Sequence, residues 1–404
     1  MNESIYSKTD NSDIIGALAA LTILNSANEK NLQAVIPYSA FYNPALVELI
    51  DFKLEFKKWR TGVFSFFDYP FLFDALSKSR ILRLDALAQM SLSYENAHIN
   101  AAFLIKANQL LDNIVSASRS LDSLHEGMKQ IVDPLFVLQV RREYLLKDVS
   151  RLINEQSSDL KKPLKVQFVG GGEDGMDQGG VQKEFFQILM GKLLDPKYGM
   201  FEDDEITRVC WFNHSFVGSK LGYELIGTII GLALYNGVMI SINFPPIFYK
   251  KILGNPIYLE DIIMSFPVVG KGLKALLDWE GEDVEEVFCL DFTFSIRQYG
   301  KMKVFQLCEN GTNTMVTTKN RRRYVDLYIH FIAFTLVERN YGAFEVGFHR
   351  VISTDPLSIC RWQELELLLC GTSSYDIDIS ELKQGVTYDD GYSIDHQLIS
   401  YEFL

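Results

Sequence analysis

Leu164-Lys-Val-Gln-Phe-Val-Gly170, and shortly after it Gly175-Met-Asp-Gln-Gly-Gly-Val-Gln-Lys-Glu-Phe-Phe186, decide the fold. The first segment alternates apolar and polar residues as a strand does, and Val181 to Leu194 has helical spacing. Between them runs a glycine-rich acidic turn. Gly179-Gly180 frees the chain to turn tightly into the helix, and Phe185-Phe186 gives that helix an aromatic face to bury. A phosphate-binding loop would end in Gly-Lys-Ser/Thr, but Gly180 is followed by Val181-Gln182. Glu173, Asp174 and Asp177 would also repel phosphate, and their offsets do not fit a calcium loop. The stretch is a strand, turn and helix of the scaffold, not a nucleotide site.

Upstream, Pro134 opens an apolar series, Phe136, Val140, Tyr144, Leu145, Val149 and Leu152, whose spacing predicts one helical face. Helical patterns also cover Ile14–Leu24, Ala45–Phe56 and Asn96–Ile131. The aromatic stretch Phe64 to Phe71 reads as a set of core anchors. Downstream, Tyr198-Gly-Met-Phe201 predicts a short hairpin-like segment, Lys271–Trp279 a helix, and Phe288–Phe294 a strand. Gln298-Tyr-Gly-Lys301 then turns into a returning strand, Val304–Leu307, and Tyr324–Arg339 predicts one long helix.

The 404 residues are 48% hydrophobic and 13% aromatic, enough to bury a sizeable core, and carry a net charge of -13. Such acidity disfavours a phosphate backbone, so nucleic acid is not an expected partner. Arg321-Arg322-Arg323 is too short to change that and reads as a solvated helix start. Five cysteines (Cys210, Cys289, Cys308, Cys360, Cys370) contain no CxxC pair, which argues against a disulfide framework or a zinc site and for a reducing compartment. The uncharged run Leu225–Tyr249 is long enough for a membrane helix. Asn236-Gly237 and Pro245-Pro246 interrupt it, so the expectation is a buried helix ending near Tyr235 and no membrane span. No Gly-x-Ser-x-Gly or His-Glu-x-x-His occurs, and His214 and His349 sit in aromatic settings that suit core or capping roles. On residues alone, the chain is a mixed α/β protein with no nominated catalytic residue and no metal or cofactor site.

An ordered set of motifs adds a family. After the Leu164–Phe186 signature come Tyr198-Gly-Met-Phe201, Trp211-Phe-Asn213, Ile226-Gly-Thr-Ile-Ile-Gly-Leu-Ala-Leu-Tyr-Asn236 and Phe244-Pro245. Asn320-Arg321, Val325-Asp-Leu-Tyr328, Gly347-Phe348, Glu364-Leu-Glu-Leu-Leu-Leu-Cys-Gly371 and Gly391-Tyr392 follow. In this order they resemble the N-terminal lobe of HECT-type ubiquitin ligases, clearly from about Pro134 and faintly back to Tyr42-Asn43-Pro44. The resemblance implies a mainly helical α+β fold, with a helical extension over 1–133 and the lobe over 134–404. Within the lobe it implies a large helical subdomain and a small α/β subdomain, about 267–335.

It further implies that the small subdomain docks a ubiquitin-conjugating enzyme in an apolar groove at Val269, Gly272, Leu273, Trp279, Phe288, Leu290, Tyr324 and Tyr328. Their spacing suits a groove. Val269, Gly272, Leu273 and Leu276 recur at helical intervals, Phe288 and Leu290 share one face of a strand, and Tyr324 and Tyr328 stack one helical turn apart. Ubiquitin and an unknown protein substrate are the other implied partners, no cofactor is implied, and the expected location is the cytoplasm, with or without the nucleus. In the family a second lobe follows, bearing the ubiquitin-accepting cysteine in a Thr-Cys-Phe setting. The match here reaches Phe403-Leu404 near the approach to that lobe, and none of the five cysteines has the setting. Cys370 matches a cysteine common before glycine in the family's first lobe. The expectation is therefore the docking lobe of a ligase, inactive alone, or a non-catalytic scaffold or decoy that binds conjugating enzymes.

Overall fold

Capping residues divide the N-terminal part into short helices before one long helix begins. The computed structural model describes residues 12–30, 35–112, 135–157, 159–170, 180–204, 207–298 and 300–371. Its first helices are α1 (Ser12–Lys30), α2 (Pro44–Leu49), α3 (Phe52–Arg60) and α4 (Ala75–Asp112). The side chain of Asn43 accepts from Leu46 N at 3.0 Å to start α2, and Asp51 accepts from Lys53 N and Leu54 N to start α3. The single run expected over Ala45–Phe56 is thus two helices, because Asp51 caps a new one. The helix expected over Asn96–Ile131 is described as far as Asp112; its remainder, with His125, lies outside the described residues.

The aromatic stretch is core. Phe66, Phe67, Phe71 and Phe73 are all buried, with the Phe67 and Phe73 rings edge-to-face at 5.4 Å. Beneath them the buried Glu55 carboxylate accepts from Ser65 Oγ (2.9 Å), Phe66 N (2.8 Å) and Lys58 Nζ (3.2 Å).

Next come β1 (Phe136–Val140), α5 (Leu145–Glu155), β2 (Leu164–Phe168) and α6 (Gly180–Leu193). The helical face expected from Phe136 to Leu152 is corrected here. Phe136, Leu138 and Val140 alternate inward on a strand paired in parallel with β2, and only Leu145 onward is helical. Apolar residues at 136, 140 and 144 satisfy both periods. A parallel partner across the core selects the strand. Arg141 and Asp148 brace the strand-to-helix turn through two side-chain hydrogen bonds (2.7 and 2.9 Å). The Arg141 hydrogen bonds hold the Asp148 carboxyl well below its usual range. Residues 171–179 of the acidic turn lie outside the described set, while Phe185 and Phe186 are fully buried.

The remaining elements are β3 (Phe201–Asp203), β4 (Cys210–Phe212), α7 (Leu221–Tyr235), α8 (Pro246–Ile252), α9 (Leu259–Ser265), α10 (Pro267–Asp278) and α11 (Val284–Phe288). They continue with β5 (Thr293–Gln298), β6 (Lys301–Gln306), α12 (Arg321–Ala333), α13 (Glu338–His349) and α14 (Trp362–Cys370). Tyr198 ends a 3-10 turn (Pro196–Tyr198) whose cap, Gly199 (φ 63°), leads into β3, which pairs with β4. The helix that opens the apolar run after Glu224 ends at Tyr235, as expected, and the run closes in α8. Among the described residues no helix is long and apolar enough to cross a membrane. The long helix expected over Tyr324–Arg339 breaks at Phe334 (φ -122°, ψ -63°), giving α12, a 3-10 turn and α13.

Helices α7 and α13 touch backbone to backbone. A Cβ on Gly227 would overlap the Phe344 carbonyl, and one on Gly347 would overlap the Glu224 carbonyl. Thr228 Oγ1 closes the seam by donating to Gly347 O at 3.2 Å. The chain divides into two units, Met1–Cys370 and Gly371–Leu404, and of the second only Gly371 is described.

Hairpin β5–β6 lays Phe294 and Phe305 against Phe331 of α12. Its other face exposes Met302 and Val304, and no third strand joins it among the described residues. Between Thr293 and Gln306 the charged residues are Arg297, Lys301 and Lys303, all basic.

Two buried lysines yield tests. Lys78 of α4 and Glu364 of α14 form a fully buried ion pair at 2.6 Å; Glu364 also accepts from Tyr42 OH and Arg361 N. Replacing Lys78 by Met strands the carboxylate, and urea denaturation should report a loss of about 3–5 kcal/mol. Lys251 of α8 has no carboxylate or carbonyl partner among the described residues. Its Nζ lies 4.0 Å from the Phe334 ring and 4.1 Å from that of Tyr341. Burial pushes this ammonium down to about 8, against a smaller opposing pull from Glu345. Below that pH both folded and unfolded chains are protonated, and the burial cost stands in full. From there to about pH 10.4, the unfolded value, the folded chain sheds its proton first, so this group's contribution to stability rises with pH. Lys251→Met should therefore add about 1–2 kcal/mol at pH 7, a gain that shrinks toward pH 10 in parallel thermal melts.

Candidate functional site

The eight residues implicated in docking fall on α10, the segment from Trp279 to Leu290, and α12. Helix α10 starts at Pro267, whose missing N–H costs nothing in a first turn. Its inward stripe is Gly270, Leu273 and Leu276, all buried, with Val269 half-buried beside them. Gly272 lies at the exposed margin of that stripe. It is exposed, and nothing lies within 4 Å of a Cβ built on it, so it leaves a notch on the outer surface of the helix.

Trp279 caps the C-terminal end of α10 with 37% of its surface exposed. Four features hold it. Its indole Nε1 donates to Asp283 Oδ1 at 3.0 Å, and its ring meets Phe288 edge-on at 5.7 Å and 88°. Its carbonyl accepts from Arg321 Nη1 at 2.5 Å, and the same nitrogen donates to Leu276 O at 3.1 Å. Gly281 gives it clearance, since a Cβ there would run into the indole nitrogen and the Asp283 carboxylate.

The Phe288–Leu290 strand face is corrected. Phe288 is the last residue of α11, Cys289 takes a left-handed conformation (φ 48°), and Leu290 follows in a loop tied to Val316 (2.8 Å). The strand starts only at Thr293. The acid-rich first turn of Val284-Glu-Glu-Val-Phe288 suits a helix N-terminus, and its buried anchor is Val284. The apparent alternation ran across a helix end and a loop. Phe288 and Leu290 are both half-buried, and only Phe288 meets the indole.

Tyr324 and Tyr328 do stack one turn apart on α12, with ring centroids 5.6 Å apart. Tyr324 is buried (3% exposed), its ring edge-on to Phe292. Tyr328 is half-buried against Phe294 at 5.1 Å. Burial pushes both phenols above their ordinary range. The eight residues thus sort into an outer group, Trp279, Phe288 and Gly272, and a supporting group, Leu273 and Tyr324, with Val269, Leu290 and Tyr328 between. Arg321, read from sequence as part of a solvated basic cluster, is a contact of the site that this reading missed. Its position one turn before Tyr324 was the available signal.

Burial pushes Cys210 and Cys360 up to about 12 and also raises Cys370, whose Sγ lies 3.3 Å from Tyr249 OH. Cys308 is half-buried, and Cys289 is the exposed one. His349 Nδ1 lies 3.0 Å from Ile352 O, a capping contact, and His214 is half-buried near Glu202.

A model of the HECT-domain (ubiquitin-transferase) family matches residues 187–403, more than half of the chain. The chain belongs to the HECT family. It is similar to the probable E3 ubiquitin-protein ligase HERC4 of Mus musculus, at 36% identity over 96% of this chain and 36% of that protein. Probable E3 ubiquitin-protein ligase HERC3 of Homo sapiens is 34% identical over 94% of the chain and 36% of its own length. Probable E3 ubiquitin-protein ligase HECTD2 of Homo sapiens is 33% identical over 96% and 49%. The HECT chain therefore spans between about a third and a half of these relatives. Their similarity also covers most of the N-terminal helices, where the motifs read from sequence were faint.

Gly272→Ala removes an exposed mid-helix glycine without a clash, so chemical denaturation should show a gain of about 0.5–1 kcal/mol.

Proposed function

We propose that this HECT chain supplies the lobe on which a ubiquitin-conjugating enzyme docks, in a ligase that receives ubiquitin as a thioester and passes it to a substrate lysine. The observation that carries the reading is Trp279, a large aromatic left exposed yet fixed at its carbonyl, its indole N–H and its ring edge. Interfaces concentrate binding energy in aromatic anchors, and an anchor already held in place loses little entropy on binding. The Gly272 notch on the same helix leaves room for a partner side chain.

On this reading the lobe comprises residues 134–404, with a small subdomain at about 267–335 and a helical extension over 1–133. On the same reading none of the five cysteines present accepts ubiquitin, because none lies in a Thr-Cys-Phe setting. A thioester acceptor needs an exposed thiol with a depressed pKa, whereas Cys210, Cys360 and Cys370 are raised by burial. Five free thiols support a reducing location, the cytoplasm with or without the nucleus.

Binding of the chain to a panel of ubiquitin-conjugating enzymes tests the docking claim. At least one should bind, and Trp279→Ala should weaken it tenfold or more, in the range of an interface hot spot. Unchanged affinity in Trp279→Ala would overturn the assignment. Incubation with activating enzyme, conjugating enzyme and ubiquitin should leave no reductant-sensitive ubiquitin adduct on this chain.

A further inference from the structure

The strongest unassigned feature is the guanidinium of Arg321. It sits at the first residue of α12, yet one of its nitrogens donates to two carbonyls at the end of α10, those of Leu276 and Trp279. The last carbonyls of a helix have no partner within it, and a cation there also meets the negative end of the helix dipole. Among the described residues no backbone N–H caps α10, and Trp279 leaves it in extended geometry (φ -65°, ψ 122°). Arg321 therefore does what a backbone cap does elsewhere, but from a separate element.

We propose that Arg321 is the positioning residue of the docking site, fixing the direction in which Trp279 leaves α10 and so the face its indole offers to a conjugating enzyme. This rests on the docking reading above. The indole has two further restraints, Asp283 on its N–H and Phe288 on its edge, but both come from the segment that follows Trp279 in the chain. They fix the ring relative to that segment. Arg321 alone among the recorded contacts ties the Trp279 backbone to α12, whose next turn carries Tyr324. It thereby sets the outer aromatic pair at a fixed place relative to the tyrosine side of the site. A lysine ammonium also has donors for two carbonyls on one nitrogen, but its flexible stem lacks the rigid planar guanidinium and holds the geometry less firmly.

The test uses the whole chain labelled with 5-fluorotryptophan. Its four tryptophans, Trp59, Trp211, Trp279 and Trp362, give separate fluorine resonances, and a Trp279→Phe variant assigns the one of interest. Arg321→Gln should move or broaden the Trp279 resonance while the other three stay in place, and Arg321→Lys should give an intermediate change. Affinity for the tightest conjugating enzyme of the panel should fall about tenfold in Arg321→Gln, with partial recovery in Arg321→Lys. An unmoved Trp279 resonance overturns the inference, as does a moved one with unchanged affinity. Should Arg321→Gln disturb all four resonances, it has damaged the fold, and Arg321→Lys decides by the same criteria. If Trp279→Ala leaves affinity unchanged, or no enzyme binds, the docking reading fails. If Trp279→Ala weakens binding and Arg321→Gln does not, only the role of Arg321 fails.

Discussion

The buried pair of Lys78 and Glu364 is the constraint on which the rest of the structure depends. It joins residues 286 positions apart and ties the long helix α4 to α14, the last described helix. Two charges out of water cost several kcal/mol each unless every lone pair and proton is used. Here Glu364 accepts from Lys78, from the Tyr42 hydroxyl and from the Arg361 amide. Desolvation pulls the Lys78 ammonium down and the facing carboxylate pulls it back up. Such an arrangement contributes little net stability over an apolar one, but it tolerates only one register between the two helices. The N-terminal helices are thus held in a single alignment with the remainder of the unit.

Within that frame the glycine seam of α7 and α13 fixes a second distance. Gly227 and Gly347 let the helices meet at their backbones, which leaves no space for adjustment. Helix α13 follows α12 after the break at Phe334 and one 3-10 turn, so the seam also places the C-terminal end of the helix that carries Arg321, Tyr324 and Tyr328. The site is assembled from the far end of this chain of constraints: seam, break, α12, then the carbonyls of α10.

The sequence disclosed the fold where local and tertiary preferences agree. The strand at Leu164, the helix after Gly180, the end of α7 at Asn236-Gly237 and the hairpin after Gln298 all lie where their residues indicate. It misled where one pattern satisfied two periods, as at Phe136–Val140, or where alternation crossed a helix end, as at Phe288–Leu290. The break at Phe334 has no glycine or proline to announce it; Lys251, distant in sequence, lies there against the Phe334 and Tyr341 rings. The site was half legible. Helical spacing brought Val269, Gly272 and Leu273 onto one helix and stacked the tyrosines, but burial separated Tyr324 from Trp279. Arg321 looked like surface charge because its partners are carbonyls, which composition does not reveal.

The hairpin β5–β6 has a consequence for how the molecule behaves in company. A two-stranded ribbon that no third strand joins among the described residues, with Met302 and Val304 exposed beside Ser295 and Arg297, is a template on which another copy's strand can add. Arg297, Lys301 and Lys303 are of one sign, so two such ribbons approaching edge to edge repel. That guard is electrostatic and is screened over about 8 Å at physiological salt. Colloidal behaviour of this chain is therefore tied to ionic strength through three positive charges within fourteen residues, in a molecule whose overall charge is -13.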